Sequence, residues 1–564
     1  MAMTKPDCKT VWKEYDADLS YKAGLNLFET VKTNENMFVG KQWEGVKSNG
    51  LPTPVFNFLK RVVLFQVASI TTDNIKIQAS ALPGNMSGKV DTRKLANVVN
   101  DQFNVLLEHN RIATLLREYM RNAAVDGDSC LYSYWDADVE TGNAAKGAIR
   151  TEVIDNTRVH FGNRNSRNVQ KQPFIIISAR EMVDEVKDEA KENGCADWET
   201  VTADSDNSNP DSYKETGDKV TTLLKLWRNK ETGTIWAYKC TKTTAVKKAW
   251  DTKLKRYPIT WLNWDYVQDC YHGMSMITGL IPNQIFVNKL FAMTMLSLMT
   301  SAYPKVVYDA TRVKKWDNRV GAAIPVTGGD MTSVAKIIDP AQVSPQISQF
   351  IELAVEYTQS FLGATSVALG DTRPDNTSAI VALQRSSAVP MEITKQNLYQ
   401  SIEDLGNIYM DFMRVYYGKR MIEQKQTVVD MTPMGVPVPS EQMVVSEFDF
   451  GLLEKVPMSL KLDIGASAYW SEIASIQTLD NLLTQNKIDL VSYLERIPEG
   501  YISKKQELID QLKNAAKAQT APAPGGAPGA NRPAFPTSGN APEDLTGGGY
   551  GTLQRAINES AGLA

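Results

Sequence analysis

The chain has 564 residues, 43% of them hydrophobic and 22% charged, which supplies apolar mass for more than one core and excludes disorder throughout. Its 61 Lys and Arg stand against 65 Asp and Glu, a formal net charge of −4, so it lacks the basic excess of a protein that grips nucleic acid through phosphates. The five cysteines (Cys8, Cys130, Cys195, Cys240, Cys270) never approach a C-x-x-C spacing and MAMTKPDCKT has no apolar signal region, so a reducing cytosol is expected, without a disulfide framework, a zinc knuckle or secretion.

The first third reads as mixed α and β. Helical stretches around YKAGLNLFETVKTNENMFVGKQW and VFNFLKRVVLFQVASIT lead into the alternating IKIQAS. Leu95, Val99, Phe103, Leu106 and Leu107 share one stripe, which predicts a single amphipathic helix over residues 91–125, capped by Asp91 and ending near Asp126-Gly127. CLYSYW, AIRTEVI and FIIIS read as strands, AREMVDEVKDEAKENG as an acidic helix with Gly194 just past its end, and TTLLKLW with TIWAYKC as a hairpin across RNKETG.

The middle is more apolar. LFAMTMLSLMTSA, residues 290–302, is uncharged but well short of the roughly 20 residues of a spanning helix. Pro282 suits the first turn of a helix running to about residue 300, with Ile285, Val287, Leu290, Met293 and Met295 among its apolar positions; a helix apolar nearly all round is usually buried in a large assembly or core. A polar, β-like insertion spans residues 303–340. In the next helix Ile347, Phe350, Ile351, Ala354, Thr358 and Phe361 are expected on one face, and Gln349, Glu352, Glu356 and Gln359 on another. After the loop of residues 363–376, a long helix starts near Thr377, is kinked at Pro390, and carries the heptad-like seam Leu398, Ile402, Leu405, Tyr409, Phe412 and Tyr416. Residues 427–465 read as strands and 471–517 as short helices, the last opened by a Ser503 and Gln506 capping box. The Pro/Gly/Ala tail from residue 518 is expected to be disordered.

A search for chemistry finds little. His109, His160 and His272 form no ligand grouping and read as surface or packed residues. GNMSGKV, residues 84–90, has three residues between its glycines and Val90 after the Lys, where a phosphate loop needs four and a hydroxyl. Asp204, Asp206, Ser208 and Glu215 match the oxygen spacing of a calcium loop, but Asn209 stands where the glycine is needed, and a solvated acidic loop is the simpler reading. No cofactor and no metal are expected. Arg312, Lys314, Lys315 and Arg319 cluster around Trp316 between two helices that belong together, which points to an exposed functional protrusion.

The order of long apolar helix, small β-like insertion, second helix, loop and long kinked helix resembles the portal proteins, or head-to-tail connectors, of tailed double-stranded DNA bacteriophages. The resemblance is carried by VGKQWEG, LPTPVFNFLKRVV, YHGMSMITGLIPNQIFVNKLFAMTMLSLMTSAYPKVVYD, IPVTGGD, FLGATSVALGD and NTSAIVALQRSSAVPMEITKQNLYQSIEDL. It implies an α+β portal fold assembled as a ring, of about twelve copies. The implied wing is 1–270, stem helix 1 is 271–302, the clip 303–340, stem helix 2 341–362 and the tunnel loop 363–376. The long kinked helix would run over 377–420, wing strands over 421–470 and crown helices over 471–517, before the 518–564 tail.

The resemblance further implies a non-enzymatic virion component at one capsid vertex, assembled in the host cytoplasm. Its partners would be double-stranded DNA in transit, the terminase large subunit, head-completion or adaptor proteins, and the major capsid and scaffolding proteins, with no membrane. Glu352, Glu356, Asp371, Thr372, Arg373 and Asn376 are the expected tunnel residues. Arg312, Lys314, Lys315, Trp316 and Arg319 are the expected docking residues on the clip. An acidic stripe suits a tunnel because each tight phosphate contact would resist sliding. Two other readings remain open at this point: a metal-dependent nuclease or hydrolase using Asp204, Asp206 and Glu215, and an unrelated scaffold with the 391–416 heptad helix as a dimer seam.

Overall fold

The computed structural model describes residues 6–48, 50–71, 75–82, 92–140, 146–205, 218–302, 306–317, 319, 323–337, 346–361, 391–431, 437–464, 478–485, 487–497, 505 and 508–509. Several expectations fall outside them: the Asp91 cap, GNMSGKV, Asp206, Ser208 and Glu215, residues 363–376, the Pro390 kink, the Ser503 and Gln506 box, and the tail. The chain divides into two compact units, Met1–Ile473 and Ala474–Ala564.

Three helices open the larger unit: α1 (Cys8–Gly24), α2 (Leu27–Val39) and α3 (Phe58–Thr71). α1 starts where the Asp7 carboxylate accepts from the Thr10 amide at 2.9 Å, satisfying one of the helix's unpaired donors. Strand β1 (Ile75–Ala81) follows, then α4 (Thr92–His109) and α5 (Ile112–Asp126). The expected single helix over 91–125 is thus two. The break has a physical cause in Asn110, whose side chain donates to Leu106 O and Ile149 O, both at 3.0 Å, and accepts from the Thr151 amide at 3.0 Å. Those bonds tie the chain to a strand, and Arg111 then turns through the left-handed region with φ of 49°.

The strands β2 (Asp128–Asp136), β3 (Ala148–Ile154) and β9 (Ile259–Asn263) form an antiparallel sheet in the order β3-β2-β9. A five-stranded antiparallel sheet contains, in order, β4 (Val159–Phe161), β5 (Phe174–Met182), β6 (Lys219–Arg228), β7 (Ile235–Cys240) and β8 (Ala245–Asp251). The expected hairpin is β6 and β7, with Leu223 opposite Cys240. The acidic helix α6 (Val183–Glu192) is shorter than the reading had it, because Arg180 to Met182 belong to β5; Gly194 follows its end with φ of 65°. Val11, Trp12 and Tyr15 of α1 pack with Ile176, Leu223, Trp227, Tyr238 and Cys240 of this sheet.

Helices α7 (Ile281–Ala302) and α8 (Gln346–Phe361) flank a short ladder of β10 (Val306–Tyr308) and β11 (Ala335–Ile337). α9 (Glu392–Phe412) continues as a π-helical turn over Met413–Tyr417. Its Leu398, Ile402, Leu405, Tyr409 and Phe412 lie in the main core with residues of α3, α5 and the three-stranded sheet. The heptad seam is therefore consumed inside this chain, which removes the dimer-seam reading. Two long strands, β12 (Lys419–Met431) and β13 (Pro437–Asp449), pair next, so the strands begin at residue 419 rather than 427. Strand β14 (Met458–Ile464) returns to pair antiparallel with β1.

In the smaller unit, residues 478–484 and Leu490–Arg496 are helical. Leu494, Ile497 and Ile509 bury together there, and Lys505 Nζ donates to Ile497 O at 2.6 Å.

Candidate functional site

Two places concentrate unusual chemistry, and they differ in kind. The first is a buried charge network beneath α1. Asp18 accepts from His160 Nδ1 at 2.9 Å, Tyr271 Oη at 2.9 Å and Arg164 Nε at 3.2 Å. One turn on, the fully buried Lys22 donates to Asn156 O, Thr157 O and Val159 O at 2.9, 2.9 and 2.8 Å, closing the open end of a single turn of helix. Nearby, Asp128 accepts from His272 Nδ1 at 2.7 Å, Asn263 Nδ2 at 2.7 Å and the Gly273 amide at 2.6 Å. Burial drops the His160 pKa to about 4 and lowers that of His272, so both rings are neutral at pH 7 and hold their Nδ1 protons toward the carboxylates. Burial likewise drops Lys22 to about 8.

These groups look catalytic in isolation, but Asp18, Lys22, Asp128, His160 and His272 are sealed in the core, and the two carboxylates and Lys22 spend their hydrogen bonds on their neighbours. Packed histidines were the expectation from sequence, and His160 and His272 are such residues. The calcium-like string loses its first oxygen in the same way, since Asp204 is ion-paired with Arg180 and accepts from the Thr221 amide at 3.0 Å. No group of three metal-ligating side chains occurs among the described residues.

The second place is the α7 and α8 pair. The first turns of α7 are locked to the body: Gln284 Nε2 donates to Phe56 O at 2.6 Å and to Asn288 Oδ1 at 3.1 Å, and Asn288 Nδ2 donates to Gln42 Oε1 at 2.6 Å. Asn283 Nδ2 reaches Thr358 Oγ1 of α8 at 3.2 Å. Beyond that anchor the apolar character turns outward. Met293, Leu296, Leu298 and Met299 are exposed, and so are Phe350, Leu353 and Tyr357 of α8 at 56, 43 and 56%.

The α8 helix has three faces. Ile351, Ala354 and Val355 pack on the core, Glu352 and Glu356 point to solvent, and Phe350, Leu353 and Tyr357 form a ridge at i, i+3 and i+7. The sequence reading put Phe350 on the same face as Ile351; its neighbours Leu353 and Tyr357 define a separate exposed strip instead. A cleft of about 420 Å³ lies against α7, bounded by Trp43, Val46, Leu51, Phe286, Leu290 and Met293 and nearly devoid of polar surface. Lys47 and Lys289 stand on its walls.

In the loop segment beyond α7, Arg312 turns its guanidinium inward. Nε donates to Gly328 O at 3.0 Å, Nη1 to Ser333 Oγ at 3.1 Å and Nη2 to Asp330 O at 3.0 Å. Gly329, with φ of 83°, leaves room for this group: a Cβ there would lie 2.5 Å from Arg312 Nη2. Trp316 stacks on Tyr308 with centroids 5.3 Å apart, and Arg319 is paired with Asp317 at 2.6 Å. Lys314 and Lys315 stand exposed. The expected tunnel residues Asp371, Thr372, Arg373 and Asn376 lie outside the described residues, so of that set the structure places only Glu352 and Glu356, side by side and exposed on α8.

Sequence reasoning missed the ridge and the cleft. The i, i+3, i+7 spacing of Phe350, Leu353 and Tyr357 was there to find, but only tertiary packing tells which of two adjacent apolar strips is covered. No helix among the described residues is long and apolar enough to cross a membrane. A family model described as phage P22-like portal protein matches residues 14–431. No curated protein matches the chain.

Proposed function

The chain belongs to the phage P22-like portal protein family and has the function of a phage portal, and on that premise we propose that it closes into a ring of about twelve copies at one capsid vertex. In this reading α7 and α8 are the stem, residues 303–340 the clip, 363–376 the tunnel loop, and 1–270 with 377–470 the wing; residues 471–517 are the crown. Double-stranded DNA passes through the ring, the terminase large subunit and later the head-completion proteins dock on the clip, and capsid and scaffolding proteins surround the wing. No step of this work requires the chain to be an enzyme.

The three-faced α8 helix is the observation that carries the assembly reading. One face holds the helix to its own chain, the apolar ridge calls for a neighbour, and the acidic face is left for a water-filled lumen. Burying Phe350, Leu353 and Tyr357 would contribute about 1.5–3 kcal/mol each, repeated at every subunit boundary. The ridge and the 420 Å³ cleft are different surfaces of the same molecule. Such a pair favours head-to-tail contacts, which generate a ring when the rotation closes, over a two-fold dimer in which one patch meets itself.

Glu352 and Glu356, with Arg373, Asp371, Thr372 and Asn376 of the tunnel loop, form the proposed DNA-facing set. Lys314, Lys315 and Arg319 are the exposed members of the proposed docking set, while Arg312 and Trp316 shape the loop that displays them. The test is native mass measurement with end-on negative-stain images of the purified protein, followed by a packaging assay of Glu352→Lys. A closed ring with a duplex-wide hole is expected, and the variant should still form rings while packaging poorly. A stable monomer under all assembly conditions would remove the ring, and normal packaging by the variant would remove Glu352 from the lumen.

A further inference from the structure

Arg420, the second residue of β12, is 8% exposed and makes no ion pair among the described residues. A buried guanidinium is costly unless something answers its charge. Its orientation is held by two rings and two carbonyls. It lies over Tyr417 and Trp135, 4.1 and 5.4 Å from their centroids, while Nε donates to Tyr417 O at 3.3 Å and Nη2 to Gly147 O at 3.0 Å. Gly147, with φ of 100°, permits the second bond, since a Cβ there would run into the Trp135 ring. Of the five N–H donors of the side chain two are used in this way, and Nη1 keeps both of its own without a partner among the described residues.

Arg420 borders a cavity of about 180 Å³. The other polar side chains on its walls are His109 at the end of α4, Arg150 of β3 and Gln102, so three basic groups line one space and no carboxylate is among the lining residues. Arg150 is only loosely answered elsewhere, its Nε standing 3.9 Å from the Asp136 carboxylate. Val105, Leu106 and Ile149 supply apolar wall, which strengthens any charge-assisted bond made inside.

We propose that this cavity is a binding site for a free tetrahedral oxyanion, inorganic phosphate or sulfate, which Arg420 grips through Nη1 with Arg150 and His109 completing the shell. Hydrogen bonds between a guanidinium and an oxyanion are the strong, charge-assisted kind, and here the guanidinium is already oriented before the ligand arrives. The volume lies below the roughly 300–1,000 Å³ of sites that take drug-sized ligands, so it suits an ion rather than a nucleotide. The depth of Arg420 favours a free ion over a phosphate of duplex DNA, whose flanking sugars hold it to a convex surface. A bound anion ties α4, β3 and β12 together and answers the buried charge.

The experiment titrates inorganic phosphate into the full-length protein in Tris chloride, with ionic strength held constant by chloride, and follows heat of binding and the thermal transition. Saturable uptake of one phosphate per chain is expected, with a rise in the transition that chloride does not give. His109→Gln and Arg150→Gln, at an exposed and a half-buried position, should each weaken phosphate binding about tenfold while their transitions in chloride stay near that of the wild type. Arg420→Gln should abolish binding, and the other two variants keep the test decisive if that change unfolds the chain. Undiminished uptake when His109→Gln and Arg150→Gln are combined would overturn the site, as would stabilisation by phosphate no greater than by chloride. A short DNA duplex that displaces phosphate from the wild type would overturn the free ion as the ligand. The result does not depend on whether the chain forms rings.

Discussion

The region under α1 and the α7 and α8 pair treat burial in opposite ways. Under α1, charged groups sit deep in the protein with their hydrogen bonds made within one chain: Asp18 has three donors and Lys22 three carbonyls. Along α7 and α8, large apolar side chains face water and the one lysine of α7, Lys289, stands on the wall of an apolar cleft. A buried charge must be answered locally because leaving it unpaired is costly, whereas an exposed apolar strip can wait for a partner. The body is finished within one chain, and in the proposed ring the helix pair is finished by assembly.

The contrast breaks first at the ridge. Phe350→Asp with Leu353→Asp should abolish ring formation, read by native mass, while the thermal transition of the separated subunit stays near that of the wild type. Rings that still form would place the seam elsewhere. In the body the expectation reverses. Asp18→Ala leaves Lys22 and Arg164 without their carboxylate and should lower stability by about 3–5 kcal/mol, seen as an earlier denaturant midpoint in the subunit itself.

A pH titration sharpens the same point. His160 is neutral in the fold, with a pKa near 4 against 6.5 for an exposed imidazole. The unfolded chain binds a proton in that window that the folded chain refuses, so stability falls as pH drops from about 6.5 to 4, by about 3 kcal/mol in all. Asp126, raised by burial to about 7, titrates in the opposite sense. Comparison with His160→Gln isolates the histidine, because Asp126 contributes to both proteins; the variant should lack the acid-dependent loss, measured by urea melts at each pH. The smallest effect is expected in the loop beyond α7. Gly329→Ala forces a strained φ and crowds Arg312, at about 1–2 kcal/mol, and should speed hydrogen exchange in residues 323–337 without moving the global transition.

Legibility followed the reach of each signal. Local periodicity announced α3, β1, α4, the β6 and β7 hairpin and the seam of α9, because one face of each is buried against the rest of the chain. It misjudged the 91–125 segment because the break depends on Asn110 reaching Ile149, a contact 39 residues away that no local pattern records. The same limit explains the ridge on α8. Arg312 reads as a surface cation in a charge run, and only the fold of the 323–337 segment reveals that three of its neighbours accept its protons. The family resemblance rested on the order of elements, which survives when individual contacts are invisible, and the match over residues 14–431 covers most of the same stretch.

The pairing of β1 with β14 carries a consequence for how the protein comes into being. Ser80 Oγ contacts Ser459 O across a sequence separation of 379, so the sheet cannot close until nearly the whole unit has left the ribosome. At roughly 5–20 residues per second that is a wait of about 20–80 s, and for its last part, the roughly 5–20 s needed to add residues 362–464, α7 and α8 are both out with their apolar strips uncovered. The nascent body and its unfinished helix pair coexist for that interval, and contacts this distant in sequence are slow to form. Synthesis therefore exposes the proposed assembly surface before the scaffold that will present it is complete, which makes the interval before closure the period when premature association between nascent chains is most dangerous.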